Sequence, residues 1–562
     1  MTKPSMARPA HRGGRRLRLI QTILWMALVC GRAPAFAGTP NTKEARVTIF
    51  YTSAIGGTLE PCGCNSDPLG GIDRYASVVR AAQKRGPVLL VDGGNMLFPL
   101  GIPPEKLAAA KLKAQFLAER LTALGLAGSA LGAADLAAGA AFVQPPRLAA
   151  NARGPGVRAA ELRQVGNVKV GVIGVVEPEV AALAKLAADE PVAAAAKDVT
   201  RLRAAGADLV VVVAAVDRPM ARKLARKAGA DFIVLGTATE AGMEKADGVG
   251  STFIVSAAAE LQKAGRIEVV LRPKAGGGYE PLQDAGSEAA LQARRLELRR
   301  TADNLAKQLT VWKQDKTADA AFVTSKQREY EALVAEQQAL PGRWAPPANG
   351  SFFVNELLPM RRALPQDKQV TTAMRALDKA IGAINLAAAT PPPKAEPARA
   401  HYVGDASCAR CHKPEMKFWK TTVHAHAWKT LVDGGKQADL ECVGCHVTGY
   451  GQVGGTSLGF TKALESVQCE VCHGPGSLHV AEEGLDEPAT VHTAVPETTC
   501  KQCHNEKHSD TFELTAYLRD ILGPGHGEKT RAKLGRGPTG GQLRRAAMAK
   551  AKASGQAQLK GL

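Results

Sequence analysis

The sequence predicts a multidomain protein with a layered α/β domain at the N-terminus, a helical middle segment, and a mainly helical and irregular domain at the C-terminus. With 562 residues the chain is long enough for two or more domains. Residues 44–282 alternate short aliphatic runs with helical stretches, which is the pattern of a layered α/β fold. Residues 283–345 carry an apolar repeat at helical spacing, and residues 401–527 hold most of the histidines and cysteines.

Residues 1–37 have the pattern of a secretory signal peptide. Four arginines within residues 12–18 precede the apolar stretch Leu19–Val29, and Ala35–Ala37 matches a cleavage site with small residues. The apolar stretch is shorter than a membrane-spanning helix requires. The sequence therefore predicts export to the periplasm or another extracytoplasmic compartment, with membrane anchoring through an uncleaved segment as the alternative.

The predicted α/β domain covers residues 44–282. Its helical stretches include Lys106–Leu124 and Pro219–Ala228, which are rich in alanine, leucine and lysine. The predicted strands are Val47–Tyr51, Val88–Val91, Val168–Val176, Leu209–Ala214, Phe232–Leu235 and Ile267–Leu271.

Several stretches of this domain resemble the 5′-nucleotidase-like metallophosphoesterases. They are Tyr51–Pro61, Gly70-Gly71, Leu90–Asn95, Ala150-Asn151 and Val170–Val175. The resemblance implies an α/β domain that, in that family, holds two metal ions with histidines and carboxylates.

The metal-ligand positions of that family are degenerate here. They are occupied by Ala54 and Gly56, by Asn95, by Gly132-Ala133-Ala134, and by Gly236-Thr237-Ala238-Thr239. The only histidine before residue 401 is His11, within the signal peptide. We therefore expect an inactive, phosphoesterase-like domain that docks a partner or positions the rest of the chain. The alternative is a phosphoesterase with an unusual site that uses Asp92 and Glu60.

Cys62 and Cys64 form a separate local feature, in a loop rich in glycine, proline, asparagine and aspartate. A disulfide between residues so close in sequence is strained and easily reduced. Three interpretations stay open: a structural clasp of the loop, a labile redox disulfide, or a metal-binding pair.

The middle of the chain is predicted to be a helical segment over residues 283–345. Its apolar positions are spaced by seven and lie on one helical face, whereas Arg295 interrupts a full coiled-coil seam. An antiparallel helical hairpin, or packing on the first domain, is therefore favoured. Residues 346–389 are predicted to be a small α/β extension, with a strand at Phe352–Leu358 and a helix at Lys368–Leu386, and residues 390–400 a stiff proline-rich linker.

Residues 401–527 contain a motif that occurs four times, Cys-x-x-Cys-His. This is the attachment motif of c-type haem, in which two thiols bind the porphyrin and the histidine ligates the iron. The sequence therefore predicts four covalently bound haems c. The predicted attachment cysteines are Cys408, Cys411, Cys442, Cys445, Cys469, Cys472, Cys500 and Cys503, and the predicted proximal ligands are His412, His446, His473 and His504.

The same region supplies more histidines than four further iron ligands require. Met416 is the only methionine within residues 401–527, so histidine is the expected sixth ligand, which gives low reduction potentials. The remaining histidines are His401, His424, His426, His479, His492, His508 and His526.

Three stretches of this region, Trp419–Ala425, Cys442–Gly455 and Cys469–Gly476, make it similar to the tetrahaem cytochrome c-554 family of nitrifying bacteria. The resemblance implies three haems with two axial histidines and one five-coordinate haem. It assigns distal ligands to His424 and His479, and with less support His526, and it leaves the haem on Cys442, Cys445 and His446 open. The additional His426, His492 and His508 depart from the family pattern, and each of them could fill that open position.

The predicted function is electron transfer between redox partner proteins whose identity the sequence does not give. A first alternative is an oxidoreductase that acts on a small nitrogen species at an open haem, and a second is a phosphoesterase tuned by haem redox state. The net charge of +19 does not indicate nucleic-acid binding, because residues 1–37 contribute seven basic residues and no acid. The basic tail 528–562 is predicted to be disordered, either simply solvated or in contact with an acidic redox partner or a membrane surface.

Overall fold

The computed structural model describes residues 44–561, except 62, 140–141, 143–146, 238–240, 316, 318 and 486–489. The predicted signal peptide and Cys62 lie outside the described residues. No helix in the described part of the chain combines the length and the apolar character needed to cross a membrane.

Two mixed sheets form the centre of the N-terminal domain. One has eight strands in the order β15-β16-β14-β1-β2-β3-β4-β6, and the other has six in the order β12-β13-β11-β10-β8-β7. In chain order the strands are β1 (Ala45–Thr52), β2 (Val88–Asp92), β3 (Leu126–Ala130), β4 (Arg147–Leu148), β5 (Ala152–Arg153), β6 (Val157–Arg158), β7 (Ala160–Val165), β8 (Val168–Val175), β9 (Ala187–Ala188), β10 (Leu209–Ala214), β11 (Phe232–Leu235), β12 (Asp247–Val249), β13 (Thr252–Val255), β14 (Lys263–Leu271), β15 (Leu282–Asp284) and β16 (Ser351–Pro359).

Helices cover the outer faces of both sheets. They are α1 (Ile72–Arg85), α2 (Leu107–Ala123), α3 (Pro178–Leu183), α4 (Pro191–Ala204) and α5 (Arg218–Lys227). Along β1 the side chains alternate: Phe50 packs under α1 and α2, whereas Ile49 and Tyr51 face the second sheet. The second sheet is covered in turn by α4 and α5. The result is a helix–sheet–sheet–helix sandwich, and the layered α/β prediction is confirmed.

The boundary predicted at residue 282 differs from the structure. β16 lies between β14 and β15 in the eight-stranded sheet and pairs antiparallel with β14 from Lys263↔Pro359 to Val270↔Phe352. The following helix α8 (Lys368–Ala387) adds Val370 and Met374 to the core under α1 and α2. The predicted small extension is therefore an integral part of the first domain. Its strand β16 is apolar, and the sheet buries it by covering both of its faces.

A helical hairpin separates β15 from β16. It consists of α6 (Glu288–Gln314) and α7 (Ala320–Ala339), with Arg294 on α6 bound to Glu336 near the end of α7 at 2.5 Å. At the tip, the rings of Trp312 and Phe322 meet edge to face at 5.0 Å. Of the two arrangements predicted for this segment, the antiparallel hairpin is the one found.

The C-terminal region consists of short helices joined by turns. They are α9 (Asp405–Cys408), α10 (Lys413–Trp419), α11 (Ala427–Gly434), α12 (Val443–His446), α13 (Cys469–His473), α14 (Ser477–Ala481), α15 (Glu497–Lys501) and α16 (Leu514–Ile521). A buried carboxylate ties several of them together, because Glu470 accepts hydrogen bonds from the backbone N–H groups of Gly404 and Gly476, each at 2.8 Å.

The prediction of disorder for residues 528–562 is wrong. Two helices, α17 (Glu528–Lys533) and α18 (Gly540–Gly561), occupy this segment. Asp520 on α16 accepts a hydrogen bond from the Gly541 N–H at 2.6 Å, and near the other end of α18 Gln558 donates to the Pro359 carbonyl at 2.7 Å. The prediction weighed the positive charge alone, whereas the alanines of this segment favour helix and give it a face that packs.

Candidate functional site

Each Cys-x-x-Cys-His unit folds as one helical turn or follows directly on one. The Cys408 carbonyl accepts the His412 N–H at 2.9 Å, and the Cys500 carbonyl accepts the His504 N–H at 2.8 Å. A turn of this kind brings the first cysteine and the histidine to the same side of the backbone. The sequence spacing therefore allows the thiols and the imidazole of one unit to bind the same prosthetic group.

The ring Nδ1 atom of each proximal histidine lies near an oxygen atom. Such a partner fixes the tautomer and leaves Nε2 to ligate a metal. The partners are a Glu415 carboxylate oxygen for His412 at 4.0 Å, the Ala427 carbonyl for His446 at 2.6 Å, the His492 carbonyl for His473 at 2.7 Å, and the Ser509 hydroxyl for His504 at 3.0 Å.

Two pairs of histidine rings face each other at the separation expected for the two ligands of one iron. The ring centres of His412 and His479 are 6.4 Å apart, and those of His424 and His504 are 6.1 Å apart. Two imidazoles on opposite faces of one iron, each bound about 2 Å from the metal, have ring centres about 6 Å apart. The residues present therefore fit a six-coordinate haem at both places.

His526 lies near His473. Burial lowers the pKa of His526, and the neighbouring His473 lowers it further. Burial likewise lowers the pKa of His424 to about 4, with His504 as the second cause. The lowered pKa of both imidazoles favours the neutral form, which is the form that binds a metal.

His446 stands apart from these pairs. Its Nδ1 contacts the Ala427 carbonyl and, at 3.3 Å, the Thr430 hydroxyl. Within the described residues its ring has no contact with a second histidine ring. Of the additional histidines, His401 has its Nδ1 at 2.9 Å from the Arg399 carbonyl, and His492 contributes its carbonyl to His473.

Cysteines of different units lie next to one another. A hydrogen bond with Cys469, together with burial, raises the pKa of Cys408, and a hydrogen bond with Cys445 does the same for Cys503. Cys472 of the third unit lies near enough to Cys500 of the fourth for Cys500 to raise its pKa beyond the effect of burial. The contacts thus connect the units in the spatial order first, third, fourth, second.

Residues 407–474 match a family model described as cytochrome c554 and c-prime. This C-terminal segment is cytochrome c554-like. It is 39% identical over 95 residues to cytochrome c-554 of Nitrosomonas europaea, a match that covers 14% of this chain and 40% of that protein. The chain thus spans less than half the length of that relative, and the family implies covalently bound c-type haem.

The N-terminal domain has partial likenesses among solved structures. A 5′-nucleotidase precursor from Thermus thermophilus aligns with a TM-score of 0.41 and 17% identity, covering 69% of this chain and 68% of that one. The sulfate thiohydrolase SoxB from the same organism aligns at 0.39 and 15%, covering 59% and 60%. The calcineurin-like phosphoesterase YfkN from Bacillus subtilis aligns at 0.34 and 20%, covering 42% and 88%. These likenesses concern fold and carry nothing about activity.

A buried polar network lies where β1, β2 and β3 end. Asp92 accepts hydrogen bonds from the hydroxyls of Thr52 and Ser129, both at 2.7 Å, and from the Gly94 N–H at 2.9 Å. Burial raises the pKa of Asp92 to about 6 despite the hydrogen bonds from the two hydroxyls. The carboxylate is fully buried, with its oxygens committed to these donors.

The cation of this network is Arg147 on β4. Only 1% of the surface of Arg147 is exposed. Its guanidinium donates to the Ser129 hydroxyl at 2.8 Å and to the Ala130 carbonyl at 2.7 Å, and it lies 3.1 Å from the Asp135 carboxylate. Asp135 also accepts backbone N–H groups, including that of Leu97 at 2.8 Å. The Arg147 guanidinium therefore balances the charge of the Asp135 carboxylate at this edge.

The positions that correspond to metal ligands in the phosphoesterases, among them Asn95 and Gly236, are closely packed at the same edge. A side chain at Gly236 would come within 2.1 Å of the Gly93 carbonyl, so the ends of β2 and β11 approach each other closely. Asn95, in a left-handed conformation with φ of 54°, donates to the Gly236 carbonyl at 3.1 Å. Among the described residues there is no group of three or more histidine, cysteine, aspartate or glutamate side chains that could hold a metal ion. Ala238 and Thr239 lie outside the described residues.

Charged contacts join this edge of the N-terminal domain to the cytochrome region. Lys436 lies between Glu60 and Asp378, at 2.8 Å from the latter. Burial opposes the charge of Lys436, but Glu60 and Asp378 more than offset it and hold its pKa above the usual value. Lys507 pairs with Glu260 at 3.0 Å in the same way. Glu60 is therefore committed to an interdomain contact.

The sequence predicts the haem-attachment residues but gives little sign of the residues that support them. Neither Arg147 nor Lys436 belongs to a recognisable motif, and each acquires its role from partners far away in the chain. Ser509 and Tyr517 had a weak signal, since they lie within 13 residues of His504.

Proposed function

We propose that this protein is an exported c-type cytochrome that transfers electrons through four covalently bound haems. The observation that carries the proposal is the facing of histidine rings at 6.4 and 6.1 Å, each pair combining the histidine of a Cys-x-x-Cys-His unit with one from a distant segment. When bound, haem supplies one-electron chemistry at low potential where both axial ligands are histidine.

The chain would hold these groups with its own side chains. Thioether bonds would form at Cys408 and Cys411, Cys442 and Cys445, Cys469 and Cys472, and Cys500 and Cys503. The histidines that would hold the iron are His412 with His479, His473 with His526, His504 with His424, and His446 without a second histidine. The contacts between cysteines of neighbouring units support a relay in the order first, third, fourth, second.

Mass spectrometry and electron paramagnetic resonance of the exported protein test this proposal. We expect four haem additions, three low-spin ferric signals and one high-spin signal. A protein with fewer additions would refute the count, and four low-spin signals would show that a further histidine ligates the His446 unit.

A small-molecule reaction at the His446 unit is the second candidate function. It is favoured by the absence of a ring contact between His446 and another histidine within the described residues. Binding of nitric oxide or cyanide to the high-spin fraction, followed by turnover with a small nitrogen species, would support an enzyme. Binding without turnover would leave electron transfer as the function.

The N-terminal domain is proposed to be a scaffold without phosphoesterase activity. Arg147 occupies the charge-balancing role at the strand ends, and Glu60 and Asp92 have separate partners. The test is hydrolysis of a generic phosphate ester with added manganese. Turnover that survives purification and disappears in Asp92→Ala would overturn the scaffold assignment.

The partner is proposed to be an acidic redox protein that docks at the first-unit end of the relay. Gly525, beside His526, packs against Glu415 of α10, so α10 contacts the turn that leads into α17. Eight exposed basic residues lie on these two helices or within three residues of their ends, and Glu415 and Glu528 are the acids of the two helices. The basic residues are Arg410, Lys413, Lys417, Lys420, Lys529, Arg531, Lys533 and Arg536. Salt-dependent reduction by an acidic donor supports this surface, whereas salt-dependent binding to anionic lipid vesicles would assign it to a membrane.

A further inference from the structure

The shortest Nδ1 contact of His504 differs in kind from those of His446 and His473. His446 and His473 have backbone carbonyls as Nδ1 partners, at 2.6 and 2.7 Å. His504 has a side-chain hydroxyl, that of Ser509, at 3.0 Å. A carbonyl is fixed by the backbone, whereas a hydroxyl rotates and shares its lone pairs with other donors.

Ser509 is the first member of a chain of hydroxyls. Its Oγ lies 3.1 Å from the Tyr517 hydroxyl, which in turn lies 2.9 Å from the Thr511 hydroxyl. Ser509 is 6% exposed, and its backbone N–H donates to the Asn505 carbonyl at 2.7 Å. The serine is therefore fixed relative to the His504 turn by the backbone as well as by its side chain.

Aromatic rings enclose the same imidazole. Phe512 stacks on His504 with ring centres 5.2 Å apart and planes within 9° of each other. Tyr517 meets His504 edge to face at 5.1 Å, and the two aromatic rings meet each other at 5.0 Å. The rotation of the imidazole about its bond to Cβ is thus fixed from two sides.

The C-terminal helix α18 packs against the ring of Tyr517. A side chain at Gly540, the first residue of α18, would come within 2.4 Å of the Tyr517 ring, so the backbone there packs directly on the tyrosine.

We propose that Ser509 and Tyr517 are positioning residues for the His504 ligand and that this hydroxyl pair sets the reduction potential of the fourth unit separately from the other three. The proposal rests on the function proposed above. A ring N–H that donates to a stronger acceptor makes the imidazole a better electron donor and stabilises ferric iron. The acceptor at residue 509 therefore controls the potential, and the phenol and phenyl rings control the orientation of the ligand plane.

The test is a redox titration of the haem-loaded full-length protein, followed optically and by electron paramagnetic resonance. Ser509→Ala removes the acceptor and is expected to raise the potential of one component of four, whereas Ser509→Asp is expected to lower it. We expect a change of up to about tenfold in the reduced-to-oxidised ratio of that component at fixed applied potential, or about 59 mV for one electron.

Three further variants separate positioning from general damage. Ser509→Thr keeps the hydroxyl and should behave as the unmodified protein. Thr511→Val removes the far hydroxyl of the chain and should leave the four potentials unchanged. Tyr517→Phe keeps the ring but loses the hydroxyl, and it should alter the low-spin signal of one unit while leaving the others as they are.

The outcomes distinguish this inference from the function on which it rests. Fewer than four haem additions in the unmodified protein would refute the proposed function. Four additions with potentials and spin signals that are insensitive to Ser509→Ala, or that all shift together, would refute the positioning role alone. Loss of one addition in Ser509→Ala that is restored in Ser509→Thr would support it.

Discussion

Replacing Arg147 with methionine tests whether the arginine holds the strand ends of the N-terminal domain together. The substitution keeps a long side chain but removes the charge and the two hydrogen bonds of 2.8 and 2.7 Å to Ser129 and Ala130. Asp135 then keeps a buried charge without its cation. Removing one partner of a buried ion pair costs about 3–5 kcal/mol. Because Asp135 retains the N–H groups of Asn95, Leu97 and Gly132, we expect the lower end of that range, about 3 kcal/mol.

The assay is thermal and urea unfolding of the haem-loaded full-length protein, followed by far-ultraviolet circular dichroism. A loss of about 3 kcal/mol corresponds to a fall of roughly 6–12 °C in the Tm of a domain of this size. Arg153→Met is the matched control, because its pair with Asp189 is 66% and 51% exposed and is expected to contribute little to stability. Equal losses in the two variants, or a loss below about 1 kcal/mol in Arg147→Met, would refute the reasoning.

Other predictions concern the interdomain contact, the distal ligands and the pH dependence. Lys436→Ala should increase protease cleavage between the domains several-fold, whereas Lys429→Ala, which removes an exposed pair with Asp433, should not; equal cleavage would contradict a role for Lys436. His424→Ala should raise the high-spin ferric fraction from one in four to two in four, as measured by paramagnetic resonance, and an unchanged fraction would exclude His424 as a ligand. Asp92 has its pKa raised to about 6, so its contribution to stability is present below about pH 4 and is lost as the pH rises through 6. Asp92→Asn should remove that decline from the unfolding free energy, and an identical pH profile in both proteins would refute the assignment.

Much of the N-terminal fold could be predicted from local pattern. The predicted run Leu209–Ala214 has the bounds of β10, since it is apolar throughout and begins directly after Asp208. β16 could be predicted as a strand but not as a neighbour of β14, since a hairpin of two helices separates them in sequence. The pairing of strands depends on which side chains are buried together across the sheet. The pattern of residues along the chain does not contain that information.

The candidate site divides in the same way. The attachment cysteines and proximal histidines follow from a short motif, because one prosthetic group must meet residues that are adjacent in sequence. The contact of His504 with His424 could not be predicted, since they lie 80 positions apart in the sequence with two other units between them. The role of Arg147 was equally hidden, because an arginine in a strand of two residues has no pattern that marks it as the partner of a buried aspartate.

The final helix of the chain reaches from one domain to the other. Its 22 residues extend about 33 Å, with the hydrogen bond to Asp520 near one end and the hydrogen bond to Pro359 near the other. A chain that stopped before α18 would keep every attachment motif but lose this connection. The cytochrome region would then depend more heavily on the ion pairs of Lys436 and Lys507 for its position, and its basic surface would be held less firmly for a partner.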